Sequence, residues 1–183
     1  MSSLPPAPGA RVGFAVSRTR RGLLDGAARA FASAGLRRTT MQSIAAAAGV
    51  AKATLYNHFR TKDEVARELL ATELDRLLSL AAALPPADAL AALSDECAGH
   101  PVLRRLVETE PELVAVLFTT PRWPELTARL AAALGVDDEG AELAARWLLG
   151  VALQPGRSGL RHRAAARLAV VLAEPVGGHD QPT

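Results

Sequence analysis

The sequence predicts an all-α protein with a small basic N-terminal domain and a larger helical body. Three observations lead there. Alanine and leucine dominate a chain of 183 residues that is 49% hydrophobic but only 4% aromatic, a balance that favours closely packed helices over sheets. Apolar residues recur at three- and four-residue spacing, with no convincing run of alternation. Glycines and prolines fall between these periodic segments, where helices would end.

Residues 1–16 show no stable period and read as a flexible arm. A first helix follows over about 17–34, where Leu23, Ala27, Ala30, Phe31 and Ala34 line one face and Gly35 permits a left-handed end. The second helix starts at Thr39 or Thr40, a capping hydroxyl, runs through "MQSIAAAA" and closes at Gly49. Ile44, Ala45 and Ala48 form its inner side. "KATLYNHF" is the third helix, with Leu55 and Phe59 inward and Lys52, Tyr56, Asn57 and His58 facing outward or sideways. The fourth opens on a capping box, Thr61 to Glu64. It continues with Val65, Leu69, Leu70, Leu74, Leu77, Leu78 and Ala81 as its apolar face, until Pro85 and Pro86 stop it. Further helices are predicted near 87–98, 101–108, 111–119, 124–134, 138–153 and 158–173, with breaks at Gly99, Pro111, Pro121, Gly135 and "QPGRSG". The expected division is thus an arm (1–16), a first domain (17–62), a second domain (63–174) and a tail (175–183).

Charge separates the same two parts. Up to Lys62 ten Lys or Arg stand against the single acid Asp25, a charge of +9, whereas the remaining eleven Arg face eighteen acids, −7. A basic front end implies a polyanionic partner, nucleic acid or an anionic membrane surface. The chain's only two lysines, Lys52 and Lys62, and its only tyrosine, Tyr56, lie within one eleven-residue stretch of that front end. Cys97 is the sole cysteine, so no internal disulfide can form. The opening residues hold no secretory apolar run, and "LVAVLF" and "LAVVLA" are too short to span a bilayer, so a cytoplasmic protein without membrane segments is expected.

Enzyme chemistry has little to build on. Neither H-E-x-x-H nor paired C-x-x-C occurs, no phosphate-binding glycine loop is present, and "GRSGL" falls one residue short of a nucleophile elbow. Asp95, Glu96, Cys97 and His100 read better as a helix end than as a site. No catalytic residue, metal site or cofactor is expected, and His58 has no ligand or general-base partner at suitable spacing.

Two short helices joined by a glycine-bearing turn, the second basic and polar outside, form a helix-turn-helix. Such a helix enters the major groove only when a partner braces it from behind, and Ile44, Ala45, Leu55 and Phe59 supply that brace. The stretch "TTMQSIAAAAGVAKATLYNHFRTKDEVARELL" resembles the DNA-binding domain of TetR/AcrR-family transcriptional regulators. It shares the Thr before helix two, the Ile-Ala pair, Ala-Gly-Val at the turn, Thr-Leu-Tyr-x-His-Phe in the recognition helix and a Lys opening helix four. The resemblance covers roughly residues 17–75.

It implies phosphate contacts at Thr40, Thr54, Tyr56, His58 and Lys62, and groove-facing positions at Gln42, Lys52, Ala53 and Asn57. Lys52 would donate to a guanine edge and Asn57 would pair with adenine. Helix capping is an equal reading for Thr40 and Thr54. Arg18, Arg20 and Arg21 are expected as an arm against the DNA backbone. One departure stands out: Ala51 occupies a position often held by Ser, and a missing cap costs about 1 kcal/mol.

For the rest of the chain the resemblance implies a ligand-responsive dimerisation domain. The segments "EGAELAARWLLGVAL" and "SGLRHRAAARLAVVLA" are apolar on more than one face and need cover, which copies of themselves in a homodimer would give. Two recognition helices one DNA turn apart then imply a pseudo-palindromic double-stranded operator. A pocket for a small-molecule effector is expected among 65–150, with Cys97, His100, Arg104, Phe118, Trp123 and Trp147 as candidates, each of which is explained at least as well by ordinary packing. The helix from Thr61 to Leu84 is the natural lever between effector and DNA. The rival expectation is a basic-headed helical module on a membrane surface or protein partner, without sequence-specific recognition.

Overall fold

A computed structural model describes residues 8–118 and 121–173; side chains are described from Thr19 onward, except at 114, 115, 117 and 118. Ten helices and no strand occur among the described residues. They are α1 (Pro8–Arg38), α2 (Met41–Ala48), α3 (Lys52–Tyr56), α4 (Lys62–Ala82), α5 (Pro86–Gly99), α6 (Pro101–Thr109), α7 (Pro111–Phe118), α8 (Trp123–Leu134), α9 (Asp138–Leu153) and α10 (Ser158–Ala173). Two compact units divide the chain between Glu73 and Leu74, inside α4, later than the expected boundary at Lys62.

Helix α1 begins at Pro8, so residues 8–16 are helical where an arm was expected. Proline suits a first helical turn because its missing N–H would have no helical partner there. The other end of α1 is bent at Gly35, whose φ of 81° and ψ of 172° are open essentially to glycine alone. The buried Thr39 hydroxyl closes this bend, donating to the carbonyl of Gly35 at 2.6 Å and to that of Ala30 at 3.2 Å.

In the first unit Leu23, Ala27, Ala30 and Phe31 of α1 meet Ile44 and Ala45 of α2, together with Leu55, Phe59 and Val65. The crossing of α1 and α2 is unusually close. A methyl group on Gly26 would lie 2.5 Å from Ala48 Cβ and 2.6 Å from its Cα, so only glycine fits. Arg29 ties the same helices by donating to the Ala47 carbonyl at 2.6 Å. Helix α4 keeps most of its expected face, but Leu70 is 56% exposed. It stands five residues beyond the buried Val65, roughly 140° around the helix.

The second unit is built on alanine and leucine. Ala89, Leu90 and Leu93 of α5, Leu130 and Leu134 of α8, Ala144, Ala145 and Leu148 of α9 and Ala165 of α10 share one core with Ala81 at the end of α4. Their small side chains let α5, α9 and α10 approach closely. Asp95 on α5 accepts from Arg161 at 2.6 Å and lies 2.7 Å from the His162 ring nitrogen, which pins the start of α10. Burial alone would raise the Asp95 carboxyl, but the bonds from Arg161 and His162 outweigh it and hold the group below the usual carboxylate value.

Gly26→Ala should destabilise the chain by about 1–2 kcal/mol, because overpacking against Ala48 backbone exceeds the gain in helix propensity. Denaturant unfolding checks this, and an unchanged midpoint would contradict so close a crossing. Acid provides a second test. A carboxyl depressed in the folded state contributes stability above its unfolded value and loses it as pH falls through the folded one. The difference in melting temperature between the parent and Asp95→Asn should therefore be largest at neutral pH and shrink on acidification.

Candidate nucleic-acid interface

Helix α2 starts on a closed cap. Thr40 Oγ1 accepts from the Ser43 amide at 3.1 Å, and Ser43 Oγ accepts from the Thr40 amide at 2.9 Å. The helix ends at Gly49 with φ of 69°, and Val50 N–H returns to the Ala45 carbonyl at 3.0 Å. That left-handed residue turns the chain into α3.

Helix α3 is only five residues long and ends at Tyr56, shorter than the expected run to Phe59. The reason lies in its exit. Asn57 caps the helix, and the chain turns so that Phe59 enters the core with no exposed surface. Its entrance is weak, since Ala51 stands at the cap with no side-chain bond. Leu55, fully buried, anchors the inner side.

The outer side is polar. Lys52, Ala53, Tyr56 and Asn57 are exposed, as are Thr40 and Gln42 on α2, whereas Thr54 and His58 are half-buried. The Lys52 ammonium sits 5.7 Å from the Tyr56 ring centroid, a cation–π arrangement that keeps both groups on one face. The fold thus leaves these candidate side chains at the surface of one unit, over a braced helix.

The other expected contacts are arranged differently. Arg20, assigned to a DNA-facing arm, turns inward and grips both carboxylate oxygens of Glu68. Its Nη1 donates to the His58 carbonyl at 3.4 Å and its guanidinium lies 4.5 Å from the Phe59 ring centroid. The bond to Glu68 raises the guanidinium above its ordinary value against the opposing effect of burial. Arg21 is exposed, and the Arg18 side chain lies outside the described residues. Lys62 also has an inner partner: its ammonium donates to the carbonyls of Leu36 at 2.7 Å and Arg37 at 3.2 Å, capping the end of α1. At α4 the expected capping box is shifted by one. Thr61 Oγ1 accepts from the Glu64 amide, but the Glu64 carboxylate accepts from Arg60 N–H at 2.8 Å rather than from Thr61.

Sequence reasoning did not single out Arg38 and Arg60, both exposed beside the candidate face. The run "LRRTT" directly before α2 was the available signal for Arg38.

Of the six effector candidates, Cys97, Trp123 and Trp147 pack against one core, that of the second unit. Cys97 packs against the core of the second unit, where burial and the neighbouring Glu96 push its thiol up to about 11 and make it unreactive. His100 caps α6, its Nδ1 accepting from the Leu103 amide at 3.3 Å. Arg104 is exposed, and the Phe118 side chain lies outside the described residues. Trp123 donates through Nε1 to Glu142 and lies under the Arg146 guanidinium, 5.6 Å from ring centroid to cation. Trp147 is half-buried against the core. A shallow hollow of about 400 Å³ lies elsewhere, lined by Asp75, Leu78, Ser79 and Ala82 of α4 and Arg129 and Ala132 of α8.

Residues 23–69 match the bacterial regulatory proteins of the tetR family. The chain belongs to the TetR family. It is 45% identical over 69 residues to the HTH-type transcriptional repressor KstR2 of Mycobacterium tuberculosis, an overlap of 38% of this chain and 34% of that protein. The chain therefore spans about a third of the length of this curated relative. The crystal structure of Mycobacterium smegmatis AmtR is 30% identical with a TM-score of 0.50, covering 82% of this chain and 85% of that one. The TetR family repressor AlkX from a Dietzia strain superposes with a TM-score of 0.59 at 20% identity, over 84% and 94% of the two chains, and so bears on the fold alone.

The tetR-family match takes in every candidate from Thr40 to Lys62 but leaves out Arg18, Arg20, Arg21 and the whole second unit. Within this TetR-family head, Lys62 has a role that needs no DNA. Lys62→Met keeps the apolar stem and removes the donors, so it should lower stability by about 1 kcal/mol in DNA-free protein. Thermal or denaturant unfolding measures it; unchanged stability would return Lys62 to a purely DNA-facing role.

Proposed function

We propose that this chain is a sequence-specific transcriptional regulator, a repressor that binds a pseudo-palindromic DNA operator as a homodimer and is released by a small-molecule effector. The observation that carries the reading is α3: a short helix braced by the buried Leu55 and Phe59, offering Lys52, Tyr56 and Asn57 to solvent. Phosphate contacts fix register and base-edge contacts select sequence, and this face holds residues suited to both. Thr40, Thr54, Tyr56 and His58 are the positioning group; Gln42, Lys52, Ala53 and Asn57 are the reading group. The relatives named transcriptional repressors support repression over activation.

The homodimer reading has its own support. Leu143 and Leu153 on α9 and Leu160, Val170 and Val171 on α10 are at least 40% exposed. Two neighbouring helices with uncovered apolar faces are suited to a self-complementary contact. An effector would act by favouring a disposition of the two recognition helices that the operator does not accept.

The membrane-surface alternative requires an exposed helix with bulky apolar residues opposite its charges. In α1 those residues, Leu23, Leu24, Ala27, Ala30 and Phe31, are buried in the head instead. No described helix is long and apolar enough to cross a membrane.

Selection of genomic fragments by the purified protein, without effector and at moderate salt, should enrich one pseudo-palindrome, and anionic vesicles should not compete for it. A folded dimer that enriches nothing would count against the reading. On the selected operator, Lys52→Ala should change the preferred base at one position of each half-site, a discrimination of roughly 1–3 kcal/mol. Tyr56→Phe should instead weaken binding to all operators alike. Identical effects of the two substitutions across operators would abolish the division into reading and positioning groups.

A further inference from the structure

The recognition helix is too short to hold itself in place. Five residues fall well below the length at which a helix is marginally stable alone, and nucleation is costly. Its start has no side-chain cap at Ala51, so its orientation rests on two buried side chains and on whatever secures its exit. At that exit stands Arg20, which reaches from α1 between the end of α3 and α4. All three of its guanidinium nitrogens are engaged: Nε and Nη2 on the Glu68 carboxylate, Nη1 on the His58 carbonyl. The plane of the same group covers the ring of Phe59.

We infer that Arg20 and Glu68 form a clamp that fixes the exit of the recognition helix, so that Arg20 determines operator binding as a positioning residue and not as a phosphate contact. This deepens the operator-binding reading and rests on it. The chemistry selects arginine. A planar fork satisfies both carboxylate oxygens, leaves a third nitrogen for a backbone carbonyl and stacks on an aromatic ring, none of which a point-charge ammonium on a flexible stem reproduces together. A protein whose binding-competent orientation is only partly populated loses affinity in proportion to that fraction. Loosening the clamp so that a tenth of the molecules keep the α3 orientation would weaken binding about tenfold.

Two substitutions separate the clamp from a DNA contact, because the two roles predict different signs. Arg20→Lys retains the positive charge, so a phosphate contact would largely survive it whereas the clamp would fail. Glu68→Gln removes a negative charge from the head, so simple electrostatics would strengthen DNA binding whereas loss of the clamp would weaken it. The measurements use the full chain: amide hydrogen exchange in free protein, and affinity for the selected operator across a range of salt. Both variants should speed exchange at the His58 and Phe59 amides, which are bonded to the Leu55 carbonyl at 3.0 and 2.9 Å, while the α2 amides keep their protection. Both should bind the operator about tenfold more weakly with the parental salt slope, since no phosphate contact is removed and each such contact would lower the slope by about 0.9. Parental binding by Arg20→Lys, tighter binding by Glu68→Gln or unchanged exchange would each overturn the inference. Should Arg20→Lys fail to fold, the near-isosteric Glu68→Gln decides alone. If the parent selects no operator, the operator reading fails by itself and the exchange measurement still decides whether the clamp exists.

Discussion

The head depends on how closely α1 lets α2 approach. Gly26 faces the backbone of Ala48 with no room for a methyl group, and this contact sets the depth at which Ile44 and Ala45 enter the core. Helix α3 packs on α2 through the turn at Gly49, so the position of Leu55 follows from that depth. A chain of packed contacts transmits spacing because interiors are close-packed and do not yield continuously. Lys52, Tyr56 and Asn57 are therefore placed by a residue that touches none of them. The polar face is the visible end of an arrangement decided on the opposite side of α2.

Most of this order was legible in the sequence because it is written in local chemistry. The spacing of Leu23, Ala27, Ala30 and Phe31 announces one buried helix face, and those four residues are buried. Gly35 and Gly49 stand at positive φ where the helical pattern breaks. Pro86, Pro101, Pro111 and Pro124 sit in the opening turns of α5 to α8, where a residue without an N–H loses nothing. The short α3 was less legible. Its sequence carries a helical pattern through Phe59, and only the tertiary demand that Phe59 be buried and that Arg20 meet the His58 carbonyl ends it at Tyr56. The helical start at Pro8 escaped because residues 8–16 have no apolar period to betray it.

The body shows the limit from the other direction. Its helices are legible from alanine-leucine periodicity and proline punctuation, but a cavity depends on side chains that converge from distant segments, and no local pattern encodes convergence. Unusual residue types single out Cys97, His100, Trp123 and Trp147; Cys97 and Trp147 pack against the core of the second unit, and the other two have polar partners. His100 serves the first turn of α6, and Trp123 is held between Glu142 and Arg146. Rarity in composition points to a residue without saying which task it has, since one polar atom can satisfy a cap or a neighbouring carboxylate.

The same distinction changes the meaning of the +9 charge at the front of the chain. A net count treats every cation as an outward donor, but at least three of these ten act inside the first unit. Arg20 binds Glu68, Arg29 donates to Ala47, and Lys62 closes the end of α1 on Leu36 and Arg37. Their residue types fit their partners. The compact ammonium of Lys62 suits two adjacent carbonyls, whereas the planar fork of Arg20 suits a carboxylate beside an aromatic ring. The two lysines of the chain are thus not equivalent: Lys62 completes the scaffold and Lys52 stands on its outer face. The charge available to a polyanion is smaller than the sequence count and more localised, and its position is set by the internal cations that hold the recognition helix beneath it.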